Sequence, residues 1–121
     1  MSVAAVLGLA LSLSACDKKL PAALEDVAAV VAGGKIQHKT DTSVGVGHTT
    51  AAGPSAVFAQ YAAALEAKGW LRTRENAKPH TEPPAHNGCF ARAGKELSVS
   101  ASRQGERAVG VVVAVGCGGI L

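Results

Sequence analysis

Apolar residues recur at spacings of three and four over one central segment of the chain, and alanines fill most of the positions between them. The recurring residues are Val57, Phe58, Tyr61 and Leu65. Such a stripe in an alanine-rich segment predicts an amphipathic helix with one buried side. Pro54 suits the first helical position, and Gly69 suits the end of the last turn.

After the helix, the pattern changes from helical spacing to strands. Residues 70–74 and 89–92 predict short strands, and the proline-rich stretch 76–87 between them predicts a loop. Over residues 97–102, apolar residues alternate with serines, which predicts a strand with one wet face. Residues 109–115 carry no polar side chain. A strand that is apolar on both faces lies in the middle of a sheet or under another element.

The segment before the helix is less decisive. Residues 20–32 fit a helical face, while residues 27–31 within them equally fit a strand. Residues 36–42 and 44–50 are rich in Thr and Val and predict two strands or one bent strand. Strands, one helix and then strands predict an α+β domain over residues 20–121. We expect an antiparallel sheet of four to five strands with the one helix packed on one face.

The composition and the net charge exclude some classes of protein and leave the predicted fold unchanged. Of the 121 residues, 48% are hydrophobic but only 3% are aromatic, so each buried residue contributes little apolar area. The net charge is +3 and the basic residues are scattered along the chain. This is well short of the basic footprint of a nucleic-acid-binding protein, so we expect no nucleic-acid partner.

The amino terminus has the pattern of an export signal. Residues 3–15 form an apolar run that is too short to span a bilayer, which needs about 20 residues. The run fits the core of a signal peptide over residues 1–15, with the small residue Ala15 before the expected cut. No Lys or Arg precedes Cys16, whereas signal peptides usually begin with a positive charge.

The expected cut also carries a recognisable motif. Leu13-Ser14-Ala15-Cys16 resembles the lipobox of bacterial lipoproteins, which has an aliphatic residue, two small residues and a cysteine. The resemblance implies cleavage before Cys16 and lipidation of its thiol, the nucleophile that takes the lipid. Residues 16–19 would then be a lipidated tether. The mature chain would be anchored to the lipid bilayer of the cell envelope and would face the periplasm or the exterior.

Two further cysteines, Cys89 and Cys117, would enter an oxidising compartment on export and would form a disulfide there. In a simple meander they lie on the first and third of three strands, about 10 Å apart. A disulfide needs Cα atoms within about 7 Å. Either Cys117 lies beyond its strand and folds back, or the strands do not form a meander. Two buried free thiols are the alternative.

The chain has no Gly-x-Ser-x-Gly motif, no phosphate-binding P-loop and no Cys-x-x-Cys pair. We therefore predict a non-enzymatic binding or structural domain with no catalytic residues, no metal and no cofactor. An envelope protein is its expected partner. The predicted contact surface comprises Ser98, Ser100 and Ser102 together with the small-residue face of the last strand.

A second hypothesis assigns the chain a metal or an enzymatic activity. His80, His86 and Cys89 lie within ten residues, although their spacing matches no standard zinc pattern. A small envelope metal-binding protein or enzyme would use these three side chains. This hypothesis requires them to meet within metal-ligand distance.

Overall fold

The computed structural model describes residues 20–118, so the predicted signal peptide, the lipobox-like motif with Cys16 and the predicted tether 16–19 lie outside the described residues. The strands are β1 (Lys35–Lys39), β2 (Ser43–Thr49), β3 (Leu71–Lys78), β4 (Ala85–Arg92), β5 (Lys95–Gly105) and β6 (Ala108–Val115). The helices are a 3-10 helix (Ala22–Val27), α1 (Ala28–Val31) and α2 (Pro54–Ala67). None of the helices within residues 20–118 has the length and apolar content needed to cross a bilayer.

The strands form a six-stranded sheet in the order β1-β2-β6-β5-β4-β3. Every neighbouring pair is antiparallel. The prediction of an α+β fold with an antiparallel sheet is confirmed, but two short helical segments precede the one helix that was expected, and the sheet has six strands rather than four to five. Both stretches before α2 form separate strands, which extend the sheet beyond β6. As its apolar sequence predicts, β6 lies in the sheet interior.

Helix α2 begins and ends where the sequence predicts. Pro54 is its first residue, and Gly69 follows the C-cap Lys68 with a φ of +92°. A positive φ is costly for a residue with a Cβ atom, so glycine suits this exit from the helix. The four residues of the predicted apolar stripe are all buried against the sheet.

The loop between β3 and β4 is shorter than its composition predicts. Residues 76–78 continue β3 and residues 85–87 begin β4, so the predicted loop 76–87 contracts to residues 79–84. Asn76 pairs with Asn87 across this hairpin. Within the predicted loop 76–87, the prolines lie at positions 79, 83 and 84. Because proline cannot donate a ladder hydrogen bond, the strands pair up to the first proline and no further.

The ambiguous stretch at residues 20–32 is helical over residues 22–31. Leu24 and Val27 are fully buried in the core between the helices and the sheet. Trp70, three residues after the end of α2, donates a hydrogen bond from Nε1 to Asp26 Oδ2 at 2.7 Å. Arg92 at the end of β4 binds the same carboxylate at 3.0 Å. These contacts fasten the amino-terminal helices to the sheet.

Cys89 and Cys117 form a disulfide, with Sγ atoms 1.97 Å apart and Cα atoms 5.8 Å apart. The strands β4, β5 and β6 do form a meander, and Cys117 lies beyond the end of β6. Gly116 turns the chain with a φ of +88°, and its N–H donates to Glu96 O at 2.8 Å. Of the two geometries that the sequence left open, the observed one is therefore a cysteine that folds back past its strand.

Candidate functional site

Within residues 20–118, one face of the sheet has no helix packed on it. The helices cover the side that carries Val109, Val111 and Val113, and we call the opposite side the open face. The strand register places a set of mostly small residues at its centre. They are Gly45 and Gly47 of β2, Gly110, Val112 and Ala114 of β6, Ser98, Ser100 and Ser102 of β5, and Asn87 of β4. The predicted contact residues thus lie side by side.

The centre of the open face is polar and only partly accessible. Ser100 Oγ donates a hydrogen bond to Asn87 Oδ1 at 2.6 Å. Ser98 is buried near the disulfide, whereas Ser100 and Ser102 are half-buried. Val112 is 38% exposed and adds an apolar group beside the hydroxyls. This surface can both donate hydrogen bonds and bury a small apolar contact.

Long polar side chains from neighbouring strands lie directly over three glycines of the open face. The pairs are Gln37 over Gly47, His38 over Gly45 and Gln104 over Gly110. A Cβ atom at any of these glycines would collide with the side chain above it. The glycines therefore let amide and imidazole groups lie flat along the sheet, where a partner can reach them.

Basic residues flank the open face. Lys35 on β1 and Arg74 and Lys78 on β3 are in register with open-face residues, and Glu96 lies near the disulfide end. β1 and β3 are the two edge strands, and β3 is exposed along its whole length. Lys and Arg on an edge strand discourage uncontrolled addition of further strands. They also give the open face a positive rim.

The structure does not bring His80, His86 and Cys89 together. His86 lies on the helix-covered side of β4, where it stacks on Phe58. Cys89 lies on the other side of the same strand, and its sulfur is bonded to Cys117. His80 lies in the exposed loop 79–84. Because a zinc site needs its ligand atoms within about 2.0–2.3 Å of one ion, this trio does not form one.

A different group of potential metal ligands does lie together within residues 20–118. The ligand atoms of Cys89, Glu96 and Cys117 are all within 4.8 Å of one another. A cysteine binds a metal as its thiolate, and both of these sulfurs are held in the disulfide. In the oxidised protein this group therefore has only the Glu96 carboxylate to offer.

A chain of hydrogen bonds that the sequence does not reveal connects α2 to β3. Ser55 Oγ lies 2.8 Å from His86 Nδ1, and His86 Nε2 lies 2.5 Å from Glu75 Oε2. Arg72 then binds Glu75 at 2.9 Å and Glu66 at 3.1 Å. The hydrogen bonds from Arg72 and from His86 lower the pKa of Glu75, although its burial opposes them. Glu75 is consequently a carboxylate at neutral pH.

The imidazole of His86 is tightly held. The Phe58 ring stacks on it with centroids 4.2 Å apart and an interplanar angle of 20°. Sequence reasoning missed this group because Ser55 and His86 are 31 residues apart and lie on different elements. A partial local signal exists, since Gly53-Pro54-Ser55 matches the first half of a Gly-x-Ser-x-Gly motif. Val57 stands where the second glycine would be.

A cleft of about 650 Å³ lies beside the amino-terminal helices. Trp70, Asp26 and Arg92 line it together with Lys95 and Glu96. Asp26 accepts from both Trp70 and Arg92, and the Arg92 guanidinium also lies 4.9 Å from the Trp70 ring centroid. The polar groups of this wall therefore satisfy one another, which favours a structural role.

No family model, curated protein or solved structure matches the chain significantly. What the protein does therefore has to follow from its own residues. Two features remain for a functional interpretation: the open face with its positive rim, and the hydrogen-bonded group of Ser55, His86 and Glu75 on the helix-covered side.

Proposed function

We propose that the protein is a lipid-anchored domain of the bacterial cell envelope that binds an acidic surface of an envelope protein through its open face. The lipobox at residues 13–16 supports the anchor. The open face carries the binding role, because no helix within residues 20–118 covers it and it presents the exposed side chains of Gln37, His38 and Val112 to a partner. Binding of this kind needs no catalytic group, metal or cofactor.

The anchor and the folded part are compatible in distance. Leu20, the first described residue, is already buried in the core. The four tether residues 16–19 span at most about 14 Å when fully extended. A lipid on Cys16 would therefore hold the domain close to the membrane surface. Lys18 and Lys19 would lie next to anionic headgroups, which weakly attract basic residues.

The chemistry of the open face selects the class of partner. The positive rim of Lys35, Arg74 and Lys78 favours an acidic surface, and complementary charge both accelerates and orients association. The half-buried hydroxyls of Ser100 and Ser102 supply hydrogen bonds at the centre. A folded protein with small acidic and polar residues in its contact patch fits these features.

Mass spectrometry of the mature amino terminus tests the anchor. We expect a diacylated peptide that begins at Cys16 in the wild type and is lost in Cys16→Ser. Cys117→Ser is the matched control and should retain the lipid, because it replaces a cysteine of the folded part only. An unmodified chain that keeps Met1 and stays in the soluble fraction would overturn the anchor.

Site-specific photo-crosslinking in intact envelopes tests the binding surface. A photoreactive residue at Ser100 should give one discrete protein adduct, whereas the same probe at Ala63, on the exposed side of α2, should give none. Salt screens surface charges, so the adduct should weaken at high ionic strength. Charge reversal by Lys35→Glu with Arg74→Glu should abolish it. An adduct that forms equally from Ala63, or that survives charge reversal, contradicts the proposal.

A further inference from the structure

We propose that Ser55, His86 and Glu75 form a nucleophilic site that transfers the acyl group of small carboxylic esters to water. The three side chains have the connectivity that activates a serine: hydroxyl to imidazole at 2.8 Å and imidazole to carboxylate at 2.5 Å. A weak nucleophile gains reactivity from an adjacent base that a third group orients. The site departs from the non-enzymatic role that the sequence predicts.

The carboxylate determines which nitrogen of His86 acts as the base. Glu75 accepts a hydrogen bond from Nε2–H, so the neutral ring carries its proton there and leaves the Nδ1 lone pair free. Ser55 Oγ lies at Nδ1 and donates its proton to that lone pair. The two nitrogens have exchanged the roles they play in the serine proteases. Either nitrogen can accept a proton, so the chemistry is preserved.

Surrounding residues hold this arrangement in place. Arg72 binds Glu75 at 2.9 Å and keeps the pKa of its carboxyl lowered, which maintains the negative charge opposite His86. Phe58 stacks on the imidazole, and His86 is only 8% exposed. Ser55, in contrast, lies on the exposed first turn of α2, where a substrate can reach it. Glu75 and Arg72 are thus positioning residues, and Ser55 and His86 are the catalytic pair.

The start of α2 supplies a donor for the developing oxyanion. The first N–H groups of a helix have no carbonyl four residues earlier in the helix to bind, and they lie at its positive end. Pro54 has no N–H, and the N–H groups of Ala56 and Val57 both donate to Gly53 O. The N–H of Ser55 itself therefore remains to bind a carbonyl oxygen that becomes negative during attack.

The reaction proceeds in two balanced steps. In the first, Ser55 Oγ attacks the ester carbonyl carbon and its proton passes to His86 Nδ1; the alcohol leaves with that proton, and the acyl group stays on Oγ. In the second, water attacks the acyl carbon and gives a proton to Nδ1. The carboxylic acid then leaves, and Ser55 Oγ recovers the proton.

The site is independent of the proposed binding role, because it lies on the helix-covered side of the sheet. A fluorophosphonate probe tests it directly: Ser55 Oγ would form a bond to phosphorus as fluoride leaves. We expect peptide mapping of the folded wild type to locate the adduct at Ser55. The adduct should be absent from Ser55→Ala and unchanged in Ser43→Ala, a matched control at the start of β2.

Two further measurements separate a positioning role from a structural one. Glu75→Gln should slow labelling at least about tenfold, since it removes the charge that favours proton transfer to His86. The ¹⁵N shifts of His86 should report the Nε2–H tautomer in the wild type and a mixture of tautomers in Glu75→Gln. Near-ultraviolet circular dichroism confirms that each variant is folded. A folded wild type with no adduct at Ser55, or with labelling as fast in Glu75→Gln, overturns the proposal.

Discussion

His48 Nε2 and Tyr61 Oη lie 2.6 Å apart inside the layer between α2 and the sheet, so these two buried polar groups satisfy each other. Tyr61 is fully inaccessible, and its ring meets the His48 ring edge-on. Tyr61→Phe removes the hydroxyl and leaves the imidazole without this partner. We expect a loss of about 1–3 kcal/mol in the free energy of unfolding, measured by urea denaturation.

A double variant provides the control for this pair. Tyr61→Phe combined with His48→Leu replaces both polar partners by apolar groups, and such a replacement costs less than leaving one polar group unpaired. The double variant should therefore be more stable than Tyr61→Phe alone. Equal losses in the two variants would show that leaving the His48 imidazole without its partner carries no penalty of its own.

The same pair makes stability depend on pH. Burial lowers the pKa of His48 below its ordinary value of 6.5. As the pH falls below 6.5 the unfolded chain therefore takes up a proton that the folded protein resists, and the folded state loses stability. We expect the urea midpoint to fall between pH 7.5 and pH 5.5, and the fall to be smaller in the double variant without His48.

Glu75 affects the pH dependence of stability in a separate, more acidic pH range. Its carboxyl has a pKa lowered below 4.5, first by the hydrogen bond from Arg72 and then by that from His86. Its contribution to stability is therefore present above pH 4.5 and is lost as the pH falls below that value. A midpoint that stays constant down to pH 4.5 would contradict the role assigned to His48.

Gly88 of β4 lies directly under the Phe58 ring, and only glycine fits there. A Cβ atom at this position would approach Phe58 Cε1 to 2.7 Å, in a fully packed part of the core. We expect Gly88→Ala to destabilise the protein by about 1–3 kcal/mol through overpacking, measured by urea denaturation. Gly47→Ala is the matched control, since only the end of the flexible Gln37 side chain stands in its way. Equal losses at the two glycines would contradict this account.

Local signals in the sequence predict the bounds of α2, but they predict little of the contacts that form the candidate sites. Pro54 and Gly69 bound α2 because both act through the backbone of their own residues. The pairing of Asn76 with Asn87 was not predictable, because it depends on a ladder that local composition does not encode. The contact between Ser55 and His86 was not predictable either, because the start of α2 and the strand β4 come together only when the whole sheet has formed.

The open face is an intermediate case. The alternation of serines along β5 predicts a wet face, and the small residues of β6 predict close contact, but neither pattern shows that the two lie on the same side of the sheet. The register that pairs Ser98 with Ala114 and Ser100 with Val112 supplies that relationship. The small and polar residue types of the open face could therefore be predicted from the sequence. Their position on one side of the sheet could not, because it depends on strand order and register.

The Cys89–Cys117 disulfide closes a loop with a sequence separation of 28 residues and ties the segment after β6 to β4. Closing a loop of this length restricts the unfolded chain and is worth about 3.5 kcal/mol in the chain-entropy account. Cys117→Ser and Cys89→Ser should therefore each lower the free energy of unfolding by about this amount. The double variant should lose no more than either single one, because each removes the same bond. Intact mass spectrometry should show the wild type to be two hydrogens lighter than its reduced form. If the free-energy losses of the two single variants instead added up in the double variant, the two cysteines would stabilise the fold separately.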